Sequence, residues 1–222
     1  MPEFFYNRGY RGTGLQGHFL RNTKECNMIM SDKNIILASK SPRRKELLEN
    51  AGFNTIILPS DADENISEDN PVELVKKLSF LKAESVYNKV KEKDENSDSL
   101  VLGADTVVFA DGKILGKPKG KAQAREMIKM LEGKVHSVFT GFTVFMKNGR
   151  SITDYSETKV FVYPMSSEDI EEYINTDEPY DKAGAYGIQG KFGKYVEKIE
   201  GDYQNVVGLP VSKILWTIKN SQ

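Results

Sequence analysis

The residues best suited to chemistry lie between positions 35 and 48, where a short apolar run is followed by serines and basic side chains. The basic side chains are Lys40, Arg43, Arg44 and Lys45. Residues 35–38 are typical of a buried strand, and Ser41 followed by Pro42 is typical of the cap and first residue of a helix. A helix that begins at the carboxyl end of a strand favours an anion there. The segment therefore predicts a phosphate site, although a capped surface helix with solvated basic residues gives the same pattern.

A second candidate group is Asp105, which stands in the middle of the strongest predicted strand, residues 100–109. An unpaired carboxylate among apolar neighbours is costly, so Asp105 is predicted to be paired, metal-bound, or exposed because the strand opens at Gly103. Lys82 lies on the apolar stripe of a predicted helix, where it either snorkels to water or points into a site. Glu64 belongs to a polar, acidic loop. Such carboxylates suit the magnesium carried by a triphosphate, because magnesium prefers oxygen ligands.

Strands and helices that must position these groups alternate along the chain. Further strands are predicted at 54–58, 135–146, 152–162 and 195–199, and further helices after Asn70, before Gly133, after Ser166 and from Pro210. The inward positions of the first two helices are predicted to be Leu47, Leu48 and Ala51, and Leu74, Leu78 and Leu81. Asp111-Gly112 indicates a tight turn, and Asn148-Gly149 indicates a type I′ hairpin. The alternation predicts an α/β fold with a mixed, twisted sheet flanked by helices.

The composition limits the class of protein. The chain has 222 residues, 39% hydrophobic and 28% charged, with a net charge of −1. This is typical of a globular protein with a real core, and it argues against nucleic-acid or membrane-surface binding. The single cysteine, Cys26, excludes an internal disulfide. Residues 1–33 show no helix or strand period and no signal-peptide core, so we expect a disordered extension, or alternatively an aromatic docking peptide, before a cytoplasmic domain at 34–222.

Four motifs resemble, in order, those of the Maf family of nucleotide pyrophosphatases. They are Ser41-Pro42-Arg43-Arg44 followed by Leu47, the Gly-Ala-Asp-Thr-Val-Val run from Gly103, Gly116-Lys117-Pro118, and the ten residues from Asp181 to Gly190. The resemblance extends from about Asn34 to the C-terminus, and the last motif is long and specific. It implies the fold of the Maf and inosine triphosphate pyrophosphatase-like proteins.

The resemblance also implies an activity and roles for particular residues. The activity is hydrolysis of nucleoside triphosphates to monophosphate and pyrophosphate, in nucleotide-pool housecleaning, with Asp105 as proton acceptor. The implied metal is Mg²⁺, with Mn²⁺ as the alternative, held by Asp105 and Glu64. The implied phosphate contacts come from Ser41, Arg43, Lys82, Lys117 and Lys182. Sequence does not separate a base from a metal ligand at Asp105.

Within the family, one subgroup handles dTTP and UTP and another handles methylated guanosine triphosphate. Arg44, Thr106 and Gln189 match the first subgroup. Because the amide of Gln189 can turn over, it discriminates poorly alone, whereas an arginine only donates and, facing O4, favours uracil and thymine over cytosine. The alternative is that Arg44 contacts the phosphates and does not contact the base. Asp105 and Thr106 face opposite sides of a regular strand, so both reach one site only if that strand ends, bulges or twists near Gly103.

Two other classes of function stay open. The first is a nucleotide-binding regulator of cell division and septum formation without turnover. The second is a phosphotransferase, for which the sequence shows no nucleotide-kinase motif. The expected partner is a small-molecule nucleotide, with no stable nucleic-acid or membrane binding, and a homodimer is compatible with the sequence.

Overall fold

The computed structural model describes residues 34–93 and 99–220, so the predicted extension at 1–33 lies outside the described residues. The described strands are β1 (Asn34–Leu37), β2 (Asn54–Ile57), β3 (Leu100–Ala110), β4 (Lys113–Leu115), β5 (Val135–Phe145), β6 (Ser151–Val162) and β7 (Val196–Glu200). The described α-helices are α1 (Pro42–Asn50), α2 (Pro71–Lys93), α3 (Lys121–Leu131), α4 (Ser167–Ile174), α5 (Tyr203–Val207) and α6 (Val211–Lys219). Three short 3₁₀ segments lie at Glu178–Asp181, Ala183–Ala185 and Lys191–Tyr195.

One mixed sheet contains all of these strands, in the order β2-β1-β3-β5-β6-β7, with β4 paired to β3. The β1 strand is parallel to both β2 and β3, whereas β3, β5, β6 and β7 pair antiparallel. Apolar side chains are buried on both faces of the sheet. The predicted α/β class with a mixed sheet flanked by helices is confirmed. Within the described part of the chain, no helix is both long enough and apolar enough to span a membrane.

The first helix begins as its sequence predicts. Ser41 is extended and its Oγ accepts a hydrogen bond from the backbone N–H of Arg44, with Pro42 next in line. Leu47 and Leu48 are buried as expected. The inward position predicted for Ala51 is wrong, because α1 ends at Asn50 and leaves Ala51 exposed.

The long helix α2 lies unusually close to the sheet, because two glycines remove side chains from the contact. A Cβ atom built on Gly103 would lie 2.3 Å from the Ser79 carbonyl oxygen, and one on Gly141 would lie 2.3 Å from that of Val75. The buried stripe of α2 is Val75, Leu78, Ser79, Lys82, Ala83 and Val86. The prediction for Leu78 is therefore confirmed, whereas the predicted core positions Leu74 and Leu81 are only half-buried.

The two predicted tight turns differ in type. Asp111 and Gly112 both have positive φ, at 48° and 73°, as a type I′ turn requires. At the β5–β6 hairpin only Gly149 has positive φ, at 81°. The type I′ prediction for Asn148-Gly149 is wrong, because the Met146 carbonyl accepts from Gly149 N–H and the hairpin closes through a longer loop with one left-handed glycine.

A gap beside β3 creates the opening for a site. Pairing with β1 stops at Leu102, whose carbonyl accepts from Ala38 N–H at 2.8 Å. Pairing with β4 begins only at Val108. On its other edge β3 pairs with β5 without a register shift from Val101 to Phe109. The strand therefore neither ends nor bulges near Gly103, and side chains from both of its faces border the same gap.

Candidate active site

All ten residues singled out as site candidates line one cleft at this gap, with a volume of about 780 Å³. They are Ser41, Arg43, Arg44, Glu64, Lys82, Asp105, Thr106, Lys117, Lys182 and Gln189. Three parts of the chain surround the gap in β3: the start of α1, the loop before α2, and the glycine loop, residues 181–190. A concave pocket of this size with convergent charged groups is the usual form of a small-molecule site.

One ammonium group joins the two acidic candidates on the α2 side of β3. Lys82 Nζ lies 2.6 Å from Asp105 Oδ1 and 2.8 Å from Glu64 Oε2. Lys82 reaches this position because α2 packs closely on β3, and only 8% of its surface is exposed. Asp105 is therefore paired, which was one of the alternatives open from its apolar sequence context.

The two carboxylates converge on one cationic position, which bears on metal binding. Among the described residues, no group of three or more His, Cys, Asp or Glu side chains could hold a metal ion alone. Asp105 and Glu64 instead fit the mode in which magnesium is bound through one or two carboxylates and the phosphates of a nucleotide.

A second charged cluster joins α1 to the glycine loop. The carboxylate of Asp181 accepts hydrogen bonds from Arg43 Nη1 at 2.9 Å and from Lys182 Nζ at 2.5 Å. Burial acts to raise the pKa of Asp181, but the hydrogen bonds from Lys182 and Arg43 outweigh it and hold the pKa below its usual range. Two of the candidate phosphate-binding cations therefore meet at a single acidic side chain.

The remaining candidates differ in how freely they face the cleft. Ser41 already uses its hydroxyl to cap α1. Lys117 follows Gly116, whose carbonyl accepts from Gly184 N–H at 3.0 Å and so holds this loop against the glycine loop. Gln189 is exposed at the cleft. Within the described part of the chain, no ion pair or side-chain hydrogen bond engages Lys117 or Gln189, and both remain available to a ligand.

Arg44 is the most constrained of the candidates. Its Nε donates to the Gly208 carbonyl at 2.8 Å and its Nη2 to Thr106 Oγ1 at 3.0 Å. Its Nη1 donates to the Ala104 carbonyl at 2.8 Å and to Ser39 Oγ at 3.2 Å. Burial lowers the pKa of Arg44, and the nearby Asp105 partly opposes that shift. The guanidinium therefore joins three segments of the protein on the Thr106 side of β3.

The segment directly after the glycine loop is held by an acidic residue that sequence reasoning missed. The carboxylate of Glu178 accepts from the backbone N–H groups of Lys191 at 2.7 Å and Phe192 at 3.4 Å. It also accepts from the Tyr173 hydroxyl at 3.1 Å. A Cβ on Gly190 would lie 2.3 Å from this carboxylate. The glycine at that position is therefore explained by the close approach of Glu178, which adjacent sequence does not indicate.

A buried polar pair supports the same loop. His136 Nε2 lies 2.7 Å from the hydroxyl of Tyr186, which lines the cleft. Burial lowers the pKa of His136 to about 4 and raises the pKa of Tyr186. His136 is thus a neutral structural side chain at neutral pH. The sequence analysis gave it no role.

The turn at residues 206–208 is a further wall of the cleft that the sequence analysis did not identify. It consists of the last two residues of the short helix α5 and the glycine after them, and Asp202 caps the start of that helix by accepting from Gln204 N–H at 2.8 Å. Gly208 ends that helix with φ at 128°. The glycine after an aspartate-capped stretch was the available signal, but no local feature indicates that this turn reaches the site.

The comparison with family models decides the relationship. The model of the Maf-like protein family matches residues 34–221. The chain belongs to the Maf-like family. A dTTP/UTP pyrophosphatase of Thermoanaerobacter sp. (strain X514) is 50% identical over 186 residues, covering 83% of this chain and 95% of that protein. Another dTTP/UTP pyrophosphatase, from Bacillus anthracis, is 45% identical over 188 residues, covering 84% and 95%.

Two solved structures align with this Maf-like chain at much lower sequence identity. The Staphylococcus aureus Ham1 protein aligns with a TM-score of 0.48 at 11% identity, covering 86% of this chain and all 100% of that one. A HAM1 protein from Coxiella burnetii aligns with a TM-score of 0.43 at 10% identity, covering 85% and 99%.

Proposed function

We propose that this Maf-like chain hydrolyses dTTP and UTP to the monophosphate and pyrophosphate, as a housecleaning enzyme of the nucleotide pool. The observation that carries the proposal is the cleft itself, where the Asp105–Lys82–Glu64 cluster faces the same space as Arg43, Lys117 and Lys182. A chain of phosphates needs several cations, and hydrolysis needs an oriented water next to them. The names of the relatives agree with this proposal.

In the proposed reaction, Asp105 accepts a proton from a water molecule as the oxygen of that water attacks phosphorus. The α–β phosphoanhydride bond breaks, pyrophosphate leaves, and the water oxygen stays on the monophosphate. Lys82 holds the carboxylate of Asp105 in place through its 2.6 Å contact. A base in this position contributes about 10²–10⁴-fold in rate.

The proposed phosphate contacts come from both sides of the cleft: Arg43 and Ser41 from α1, and Lys117 and Lys182 from the opposite loops, with Lys82 nearest the reacting atom. Arg43 and Lys182 are shared by Asp181 in this structure. A bound triphosphate therefore competes with Asp181 for both cations. Such an exchange costs little, because the side chain of Asp181 is 58% exposed and water can solvate it.

A divalent cation, Mg²⁺ with Mn²⁺ as alternative, is proposed to arrive with the nucleotide. Asp105 and Glu64 would hold it, and it would neutralise charge that develops on the phosphates.

The proposed base preference involves Arg44, Thr106 and Gln189. Gln189 is free to pair with the N3–H and a carbonyl of uracil or thymine. One buried methyl group contributes only ~0.8 kcal/mol, so dTTP and UTP are both expected to be good substrates. CTP and the purine triphosphates are expected to be poor ones.

The test is a panel of nucleoside triphosphates with magnesium, in which monophosphate and pyrophosphate are both measured. The proposal expects stoichiometric release of the two products, fastest with dTTP and UTP. Binding of nucleotides without any pyrophosphate release would instead identify a regulator. Equal efficiency with UTP and CTP would contradict the proposed base preference and leave the hydrolysis intact.

A further inference from the structure

A chain of buried hydrogen bonds runs from the wall of the cleft into the sheet. Thr140 on β5 is fully buried, and its Oγ1 lies 2.9 Å from Thr106 Oγ1. The same Thr140 hydroxyl donates to the backbone carbonyl of Asn205 at 3.1 Å. Asn205 lies in α5, and its Nδ2 donates to the Val138 carbonyl at 3.0 Å. These contacts join α5 to the sheet.

The direction of each hydrogen bond follows from counting donors. A threonine hydroxyl has one proton to donate. Because Thr140 donates to Asn205, it accepts from Thr106 at 2.9 Å; the Gly208 carbonyl lies farther from the Thr106 hydroxyl, at 3.4 Å, and Thr106 in turn accepts from Arg44 Nη2. The chain therefore runs from the guanidinium of Arg44 through two hydroxyls to the backbone of α5. Bonds that begin at a charged donor polarise those that follow.

The two ends of this series of hydrogen bonds meet at the turn formed by residues 206–208. Arg44 Nε donates to the Gly208 carbonyl, at the end of α5, while Thr140 holds α5 from the sheet. Residues 206–208 line the cleft, whereas Thr140 and Asn205 are not among its lining residues. Arg44 is only 9% exposed, and its hydrogen bonds go to four protein acceptors.

We propose that Thr140 is a positioning residue for base selection, and that it acts through the turn at residues 206–208. Arg44 and Thr106 belong to the same device: they influence the choice of base by holding this wall, without the Arg44 guanidinium reading the base. The inference rests on the proposed hydrolysis of pyrimidine triphosphates. A displacement of a binding wall by a fraction of an ångström is enough to change discrimination between bases of similar shape.

The decisive variant is Thr140→Val, which removes the hydroxyl and keeps the branched shape. Thr143→Val is the matched control. Thr143 lies on the same strand, is also fully buried, and bonds two hydroxyls, those of Ser79 at 3.0 Å and Thr153 at 2.9 Å. Its side chain is on the opposite face of the sheet and outside the cleft. We expect both substitutions to lower the Tm by a similar amount.

The readout is the ratio of kcat/KM for UTP to that for CTP. In Thr140→Val we expect this ratio to fall about two- to tenfold, the equivalent of one hydrogen bond. In Thr143→Val we expect it to stay at the wild-type value. Thr140→Ser retains the hydroxyl, and we expect its ratio to match the wild-type value. The serine variant can also be measured if the valine variant does not fold.

An unchanged ratio in a folded Thr140→Val protein would overturn the inference, and so would an equal fall in Thr143→Val. The affinities of α,β-methylene analogues of UTP and CTP, measured by calorimetry, provide a UTP-to-CTP affinity ratio that does not depend on turnover. A wild-type protein that binds both analogues but releases no pyrophosphate from UTP would refute the proposed hydrolysis. The effect of Thr140→Val on the affinity ratio would still decide the positioning role.

Discussion

Replacing Asp105 by asparagine tests the proposed proton acceptor most directly. The substitution preserves the size of the side chain and removes its charge and basicity. Lys82 would lose a carboxylate at 2.6 Å but keep Glu64 at 2.8 Å. The variant should therefore fold, with its loss concentrated in turnover.

The expected losses follow from these contacts. Removal of a general base costs about 10²–10⁴-fold in rate, or roughly 3–5 kcal/mol of transition-state stabilisation. Breaking a fully buried ion pair costs about 3–5 kcal/mol of stability. Lys82 retains one carboxylate, and its two partners lie at an open cleft, so we expect about 1–2 kcal/mol here.

Two further variants separate activity from stability. In Asp105→Asn/Lys82→Met the ammonium that had lost one of its two carboxylates is removed, and we expect the Tm to recover while pyrophosphate release stays low. Asp154→Asn is the charge control, because Asp154 pairs with Lys213 at 3.0 Å outside the cleft. We expect its turnover to match wild type.

The assay is pyrophosphate release from UTP with magnesium, alongside thermal unfolding. Turnover close to wild type in Asp105→Asn would end the assignment of Asp105 as either base or metal ligand. If activity returned together with Tm in the double variant, Asp105 would be a structural partner of Lys82 and nothing more.

Three further predictions concern parts of the chain away from the reacting atoms. Because burial lowers the pKa of His136 from 6.5 to about 4, the unfolded chain binds more protons between those values, and stability falls as the pH drops through them. His136→Gln should remove up to about 3 kcal/mol of that fall; identical urea midpoints at pH 7.5 and 4.5 in both proteins would contradict this. Glu178→Ala should raise the KM for UTP more than it lowers kcat, because the backbone N–H groups of Lys191 and Phe192, directly after the glycine loop, and the Tyr173 hydroxyl lose their acceptor; an unchanged KM would show that the loop needs no such support. Deletion of residues 1–29 should leave Tm and turnover nearly unchanged, since their sequence lacks any core-building period; a large loss of either would give them a structural role.

The start of the domain could be predicted from sequence because its determinants are local. A strand, a serine cap and a proline follow each other within a few residues, and each restricts the backbone on its own. The structure has β1, the Ser41 cap and α1 at these positions. Pairing of Asp105 was also foreseeable, since an apolar strand does not tolerate an isolated carboxylate.

The sequence predictions were wrong where the local structure depends on residues that are distant in sequence. The buried face of α2 is set by the close approach that Gly103 and Gly141 allow, so the stripe is rotated away from Leu74 and Leu81. The helical period alone does not contain that information. At Asn148-Gly149 the dipeptide is compatible with two hairpin loops, and the loop formed depends on where β5 and β6 end.

The positions of Asp105 and Thr106 show why the site could not be predicted without knowing the fold. The two side chains do face opposite sides of a regular strand, and one cleft still reaches both, because β1 stops at Leu37 and this edge of β3 has no paired strand until Val108. The free edge of the strand, without a bulge in it, gives one cleft access to both faces. The same edge explains Arg44: it binds the buried Ala104 carbonyl at this edge and the Gly208 carbonyl, which lie 60 and 164 residues away in sequence. The motif predicts a guanidinium near a phosphate site. Only the topology shows that the hydrogen-bond donors of this guanidinium are already bound to other parts of the protein.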